Sequence, residues 1–427
     1  MTVAVFLGSL LGGMLLGLPI AYALLLTGVA LMLHLDFFDA QIVAQNLMNG
    51  ADSFPLMAIP FFMLLGVVMN RGGLSRRIVN LALAGLGHRR GGLGYVTILA
   101  GVIMASFSGS AAADAAALSA ILIPMMLAAG HDARSSSGLV ASSAIIALVI
   151  PPSIGFILIG VVGNISITRL FLSGIVPGLI MATALTLTWW LLTRRDFSLI
   201  VSERALPGEL RRRFADAAWA LLLPVLIVAG LRFGVFTPTE AGVVACVYAL
   251  VVSLVVYREL RLSDIPSCLL SAGKMTATVM LLVAAASVSG WMITVGGLQA
   301  QIASLAAPLV TEPMLLMLAV VALVILIGMV LDMVPVILIL LPVLLPLATR
   351  AGIDPVYFGT IFLISCSIGL ITPPVGTVLN VVAGVSRIPL LQVVAGVWPY
   401  VLALLAALGL MVLVPQVVTG PARWLAG

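Results

Sequence analysis

Long apolar stretches recur along the whole chain and are separated by short polar connections. Met181–Leu192, Ala217–Ala229 and Leu315–Met329 belong to such stretches. A helix needs roughly 20 mostly apolar residues to cross the hydrocarbon core of a bilayer. Inside the bilayer the backbone has no water to bond to, so spanning segments of this kind fold as helices. The pattern predicts an all-α, polytopic membrane protein.

A Pro-Pro pair interrupts two of these stretches, first in Ile150-Pro-Pro-Ser153 and again in Thr372-Pro-Pro-Val375. The pairs are 373 − 151 = 222 residues apart, and Gly130 and Gly352 keep the same offset. Asp114 resembles Asp332 with a small slip. A fixed long period indicates that one unit of about half the chain is duplicated.

Each copy is predicted to contain three spans, an amphipathic arm after Gly-Gly-Leu, a helical hairpin, a broken span and a final span. In the first copy the predicted elements are Val3–Gly17, Pro19–Leu33, Phe54–Met69, Leu74–Leu86, Leu93–Leu127, Gly138–Val162 and Leu170–Leu192. The second copy runs from Ala217 to Val414. The residues leave open whether Val3–Leu33 forms two short spans or one long span.

The hairpins are expected to be re-entrant, because Gly94–Ala105 and Ala111–Leu127 are each short for a full crossing. Cytoplasmic connections of membrane proteins carry an excess of Lys and Arg. Three connections carry such an excess: Arg71–Arg90, Arg194–Arg213 and Arg258–Arg261. With these three inside, the first hairpin opens to the cytoplasm and the second to the outside. The two copies are therefore predicted to be inverted, with the N-terminus and the loop His34–Ser53 outside.

Composition agrees with the membrane assignment and narrows the function. The chain is 63% hydrophobic and only 8% charged, where soluble domains carry about 25% charged residues. The net charge of +5 is explained by the basic connections and gives no support to nucleic-acid binding. The sequence contains no Walker motif and no catalytic constellation, so neither an ATP-driven pump nor an enzyme is predicted.

Inverted repeats with interrupted helices are typical of secondary transporters, which bind substrate and ions at the breaks. The tip Ser106–Ser110 joins hydroxyl groups to the start of a new helix, and a helix N-terminus attracts anions. By itself such a segment is more often a plain turn, but the matched break in the second copy favours a binding site. Asp114 is left open between a support of an ion site and a structural cap.

Four motifs together resemble the large membrane subunit of TRAP transporters, the tripartite ATP-independent periplasmic carriers: Ser106–Asp114, Ile150–Ser153, Gly234–Ala241 and Gly369–Gly376. Three further stretches resemble the branch of that family that carries 2,3-diketo-L-gulonate: Asn49–Phe54, Asp354–Gly359 and Asn380–Val385.

The resemblance implies an elevator-type fold, in which a transport domain moves against a fixed scaffold. Its implied parts are scaffold at 1–70 and 217–295, arm segments at 71–93 and 296–312, a cytoplasmic connection at 194–216, and transport domain at 94–193 and 313–427.

Sodium is the coupling ion that the resemblance implies, bound at two sites. The implied ligands are Ser108, Ala147, Val149 and Pro152 at the first site and Gly328, Gly369, Thr372 and Val375 at the second. The implied substrate-binding residues are Ser106, Ser110, Asp114, Ser153, Asp332 and Thr377. The duplication supports the ion sites, since adding 222 to 147, 150 and 153 yields 369, 372 and 375.

The resemblance also implies partners: a periplasmic binding protein that delivers an organic acid, and a small four-helix membrane subunit expected to be a separate chain. Membrane lipid would surround the protein, in the bacterial inner membrane. Two alternatives remain open at this stage. One is a stand-alone ion-coupled carrier of dicarboxylates or other anions with the same architecture, and the other is a passive channel.

Overall fold

The computed structural model describes residues 2–194, 206–299, 301 and 310–426, and these residues form helices and connections without a β-strand. The helices of the first half are α1 Thr2–Leu15, α2 Ile20–His34, α3 Ala40–Ala51, α4 Ala58–Arg71, α5 Leu74–Leu86, α6 Gly92–Ser108, α7 Ala111–Ala128, α8 Ala133–Ala144, α9 Ile154–Gly163 and α10 Ile167–Thr193. Those of the second half are α11 Pro207–Arg232, α12 Pro238–Val251, α13 Ile265–Val295, α14 Pro313–Gly328, α15 Met333–Arg350, α16 Pro355–Gly369, α17 Thr377–Ser386, α18 Leu390–Leu413 and α19 Gln416–Ala426.

Eight helical segments in the described part of the chain are long and apolar enough to cross a membrane. They include Ile167–Thr193 and Leu262–Val295, of 27 and 34 residues. The predicted all-helical, multi-pass fold is confirmed. Most of the second arm segment, 296–312, and the part of the Arg194–Arg213 connection from 195 to 205 lie outside the described residues.

The order and spacing of the helices recur between the two halves. The second helix of each hairpin begins at Ala111 and Met333, and the broken span begins at Ala133 and Pro355. Both separations are 222, since 333 − 111 = 222 and 355 − 133 = 222. The helix positions thus agree with the sequence repeat.

The first residues fold as two short helices, α1 and α2, which settles the question left open for Val3–Leu33. The prediction of a loop across His34–Ser53 is wrong for residues 40–51, which form α3. The Asp39 carboxylate caps this helix by accepting the Gln41 N–H at 2.7 Å, a common way to start a helix. Gly50 lets α3 approach the Ser287 side chain of α13. Tertiary packing therefore stabilises a helix that is too polar to be recognised as a span.

The predicted cytoplasmic connections meet at one end of the molecule. Arg76 and Arg77 both contact a single Glu259 oxygen, at 2.8 Å and 2.6 Å. The Tyr257 hydroxyl donates to the Asp216 carbonyl at 2.6 Å. Gly73 adopts a φ of +76° beside Glu259, whose carboxylate occupies the place of a Cβ. The start of arm helix α5 is thus held against the connection between α12 and α13.

The two hairpins approach opposite ends of α10, a helix about 40 Å long at 1.5 Å per residue. Near its C-terminal end, the Trp189 Nε1–H donates to the carbonyl of Gly91, where the first hairpin begins, at 2.7 Å. Gly163, just before its N-terminal end, approaches Leu345 in the last turns of the second hairpin. These contacts support an inverted arrangement of the halves.

The orientation can be tested with single cysteines at Gly208, Ser263 and Thr311. We expect the first two to be shielded from an impermeant thiol reagent applied to intact cells, because they lie at the basic end, and the third to be labelled. The native cysteines Cys246, Cys268 and Cys366 are buried and should contribute little background. Labelling at Gly208 before the cells are opened would contradict both the orientation and the inversion.

Candidate functional site

Both Pro-Pro segments break their helices, as the sequence predicts. After α8 the chain makes a 3-10 turn at Ile145–Leu148 and resumes a helix only at Ile154. In the second half the helix stops at Gly369 and resumes at Thr377. Because proline has no N–H, the carbonyls four residues earlier lose their helical donors. Those carbonyls belong to Ala147, Leu148, Gly369 and Leu370.

Three of these four carbonyls accept a hydrogen bond from another donor, and the donors differ between the two halves. In the first break the Ser153 hydroxyl donates to the Leu148 carbonyl. In the second break the Val378 N–H donates to the Leu370 carbonyl at 3.2 Å, and the Thr372 N–H donates to the Gly369 carbonyl at 3.0 Å. Ser153, predicted to bind substrate, is therefore engaged in closing the first break.

The tip of the first hairpin packs against the first break. Gly109 turns the chain with a φ of +59°, and a Cβ placed there would lie 3.3 Å from the Pro152 carbonyl oxygen. Ser110 then caps α7 by accepting the Ala113 N–H at 3.4 Å. The structure thus brings the Ser108 turn to the segment of Pro152. The Val149 carbonyl packs instead against Gly174 of α10, and the Ser106 hydroxyl donates to the Ile103 carbonyl.

The tip of the second hairpin meets the second break backbone to backbone. A Cβ on Gly369 would lie 2.8 Å from the Cα of Gly328. The Gly376 N–H donates to the Met329 carbonyl at 3.1 Å. The structure therefore places Gly328 beside Gly369, as the prediction of a second ion site requires.

Two other oxygens predicted at the second ion site, the Thr372 hydroxyl and the Val375 carbonyl, already take part in hydrogen bonds. The Thr372 hydroxyl donates to the Ile368 carbonyl at 2.7 Å, which leaves its lone pairs free to ligate. The Val375 carbonyl accepts from the Asn380 amide at 3.0 Å. Asn380 was not among the predicted site residues.

A cavity of about 270 Å³ lies where the two tips, the two breaks and the scaffold meet. Its lining includes Ser110, Asp332 and Thr377, three of the predicted substrate-binding residues. The other three, Ser106, Asp114 and Ser153, do not line it. The segments predicted to be scaffold contribute lining residues that the sequence did not single out: Met63, Met275, Thr278 and Val279. They lie in apolar spans without a motif, so only their place in the fold reveals them.

Four helices begin at this cavity. Residues at or next to the N-termini of α7, α9, α15 and α17 line it, namely Ala111, Ile154, Met333 and Thr377. The first N–H groups of a helix have no partner within the helix, and the helix dipole places partial positive charge at the same end. Among the residues that the structure describes, Asp332 is the only charged one in the lining, and no Lys or Arg belongs to it. The cavity can therefore bind an anion through backbone N–H groups.

Asp114 and Asp332 occupy different positions, and the likeness drawn between them from sequence is wrong. Asp332 is the N-cap residue of α15 and is exposed at the cavity. Its counterpart at the 222-residue offset is Ser110, the N-cap of α7, since 332 − 222 = 110. Asp114 lies four residues further along α7, and Val336 stands at the matching position, since 114 + 222 = 336.

Hairpin tips that face broken spans around a central cavity define a membrane permease of the secondary-transporter type. A family model described as "Tripartite ATP-independent periplasmic transporter, DctM component" matches residues 7–417. The chain belongs to this family of TRAP large permeases, which are multi-pass proteins of the bacterial inner membrane.

Relatives that match over their full or nearly full length are also TRAP large permeases. A 2,3-diketo-L-gulonate TRAP transporter large permease from Escherichia coli and a putative TRAP large permease from Haemophilus influenzae are each 52% identical over 425 residues, which cover 100% of both chains. A sialic acid TRAP large permease from Vibrio cholerae is 35% identical and covers 95% of each chain.

A solved structure, the YdaH transporter of Alcanivorax borkumensis, resembles the fold. The TM-score is 0.65, the identity is 18%, and the match covers 88% of this chain and 89% of the other. At this identity the likeness concerns the fold alone.

Proposed function

We propose that this chain is the permease of a sodium-coupled importer of an organic acid, working by an elevator mechanism. The observation that carries the proposal is the convergence of two hairpin tips, two broken spans and four helix N-termini on one cavity. Irregular backbone within a membrane is tolerated where it lines such a cavity. In secondary transporters, the N-termini of half-helices bind anionic groups of the substrate, and the backbone carbonyls of unwound segments bind the coupling ions.

The substrate we propose is a sugar acid. A carboxylate would accept hydrogen bonds from N–H groups at the start of α7, while hydroxyl groups of the substrate would bond to Ser110, Asp332 and Thr377. Asp332 accepts hydrogen bonds from hydroxyl groups but repels a second carboxylate, which favours a polyhydroxylated monoacid over a dicarboxylate. The Escherichia coli relative, which is 52% identical, is named for 2,3-diketo-L-gulonate, a compound of this class.

Sodium fits the chemistry of the two breaks. The first offers the Ser108 hydroxyl and the Ala147 carbonyl, which has lost its helical donor. The second offers the Gly369 carbonyl and the Thr372 hydroxyl beside Gly328. These oxygens are hard, mostly neutral ligands of the kind that unwound helices present to Na⁺ in transporters.

The composition of the cavity wall supports the proposed elevator mechanism. The wall residues Met63, Met275, Thr278 and Val279 belong to helices α4 and α13 of the proposed scaffold, while the other described wall residues come from hairpins and broken spans. A displacement of the hairpins against this wall would carry the substrate across and open the cavity on the other side. The anchored start of arm helix α5 would hold the scaffold end fixed.

TRAP large subunits work with a small membrane subunit and a periplasmic binding protein. We therefore expect uptake of labelled 2,3-diketo-L-gulonate into proteoliposomes only when the cognate small subunit and the loaded binding protein are both present. The measurement is initial uptake, with liposomes lacking the large subunit as control. Full uptake without the binding protein would favour a stand-alone carrier. Flux without counterflow of labelled substrate would favour a channel.

A further inference from the structure

Asp114 is a buried carboxylate without a partner. It lies on α7 just behind the first hairpin tip, with 0% of its surface exposed. Neither carboxylate oxygen has a hydrogen bond, and none of the three ion pairs of the described residues involves it. The Ser108 hydroxyl faces the carboxylate without completing a hydrogen bond to it.

A capping role does not account for Asp114. The N-cap of α7 is Ser110, whose hydroxyl already accepts the Ala113 N–H. The Asp114 N–H donates to the Ser110 carbonyl at 3.1 Å, as in an ordinary first turn. Its carboxylate accepts no backbone N–H at all. A buried charge without compensation destabilises a protein. The Asp114 carboxylate therefore lowers the stability of the fold, and no capping contact offsets this loss.

We infer that Asp114 supplies the counter-charge for a monovalent cation bound behind the first hairpin tip, together with the Ser108 hydroxyl and the freed Ala147 carbonyl. The inference rests on the proposed sodium coupling and deepens it. A single carboxylate balances one monovalent cation and leaves the occupied site neutral. Asp114 was expected to bind substrate, but it lies behind the tip, away from the cavity.

The two ion sites then differ in charge. At the second tip the position that matches Asp114 is Val336, and the acid of that hairpin, Asp332, faces the cavity instead. The ligands predicted for the second site, beside Gly328 and Gly369, are thus neutral oxygens. Its cation would lie next to the substrate and would offset the charge of Asp332, which suits the binding of an anion.

The charge of Asp114 also links ion binding to movement. A hairpin that carried a bare carboxylate across the membrane would move a buried negative charge through a medium of low dielectric, which is costly. A bound cation removes that cost. Movement of the empty hairpin should therefore be suppressed until the first site is filled, and leakage of the gradient is thereby limited.

Thermal unfolding of the solubilised protein tests the inference without transport. Wild-type protein and Asp114→Asn are compared over a range of NaCl, with choline chloride holding the ionic strength constant. A ligand that binds only the folded state raises the Tm by mass action, so the wild-type Tm should rise with sodium. Asp114→Asn should have a higher Tm than wild type in choline, because the unpaired charge is gone.

In Asp114→Asn the sodium concentration that produces half of the Tm rise should increase about tenfold or more, as expected when a charged ligand becomes neutral. Ser119→Ala is the matched control, because Ser119 is buried and unpartnered on the same helix. It should keep the wild-type response. Asp114→Glu retains the charge and should keep a rise of Tm with sodium. It replaces Asp114→Asn as the test variant if the Asn variant does not fold.

The outcomes distinguish a failure of the Asp114 inference from a failure of the proposed sodium coupling. A Tm of Asp114→Asn that is lowered equally in sodium and choline, with a wild-type sodium response, would make Asp114 structural and overturn the inference while sodium coupling stands. Loss of the sodium response on conversion to Glu, despite a retained charge and a folded protein, would also count against the counter-charge role. Absence of any response in wild type would remove sodium coupling and the inference together.

Discussion

Uptake of the organic acid into proteoliposomes is expected to fall to background when choline replaces external sodium. The reason is that, in the proposed mechanism, both tips present oxygen ligands to a cation, and the first places the Asp114 carboxylate beside the Ser108 hydroxyl. Without a cation, the first site keeps its negative charge, and no cation at the second site offsets the charge of Asp332 beside the anion. ATP inside or outside should have no effect. The measurement is the initial rate at fixed ionic strength with binding protein in excess.

Lithium and potassium serve as further replacements, with the membrane potential clamped so that only ion identity changes. A rate in choline equal to that in sodium would refute the coupling and leave a sodium-independent permease. A rate that follows the proton gradient instead would assign the coupling to another ion.

Gly328→Val is expected to abolish uptake at normal expression. Neither Gly328 nor Gly369 has a positive φ, so the constraint is the close approach of two backbones. A Cβ on Gly328 would lie 3.3 Å from the Cα of Gly369, and the two methyl groups of valine would extend into the same space. The tip would be pushed off the second break, and the ion site formed between them would open. The measurement is the maximal uptake rate together with the sodium concentration that gives half of it.

Gly409→Val is the matched control, because a Cβ on Gly409 of α18 meets nothing within 4 Å. It should transport like wild type. Ser108→Ala should have an intermediate effect, weakening sodium binding by about 1–3 kcal/mol, because the backbone carbonyl of Ser108 is retained and only its hydroxyl is lost. Normal sodium dependence of Gly328→Val would show that the second tip is only a turn.

Much of the fold could be predicted from the sequence, since it depends on local properties of the chain. Runs of apolar residues predicted the helices, because the bilayer requires every backbone group to be bonded within its segment. The Pro-Pro pairs predicted the breaks, since proline lacks the N–H that the helix needs at those positions. The 222-residue offset predicted the recurrence of hairpin and broken span that the helix boundaries show.

Other features depend on contacts between distant segments and could not be read from the chain. Helix α3 has too many polar residues to be recognised as a span, and it is packed against α13. Met63, Met275 and Thr278 become cavity residues only because two scaffold helices happen to face the hairpin tips. No motif marks them, since any apolar span contains similar residues.

For Asp114 and Asp332, the tertiary structure differs from what the sequence predicts. From the sequence alone they are two acids that follow two hairpin tips, and they were expected to share a role. Their offset is 332 − 114 = 218, four residues short of the repeat, and four residues are about one turn of a helix. That turn places Asp332 at the mouth of the cavity and Asp114 behind the tip. The sequence by itself determined the helices, the breaks and the family motifs, because these are set by neighbours in the chain. Only the tertiary structure decided which carboxylate faces the cavity and which is buried, because that depends on the position of each acid within its helix and on what packs against it.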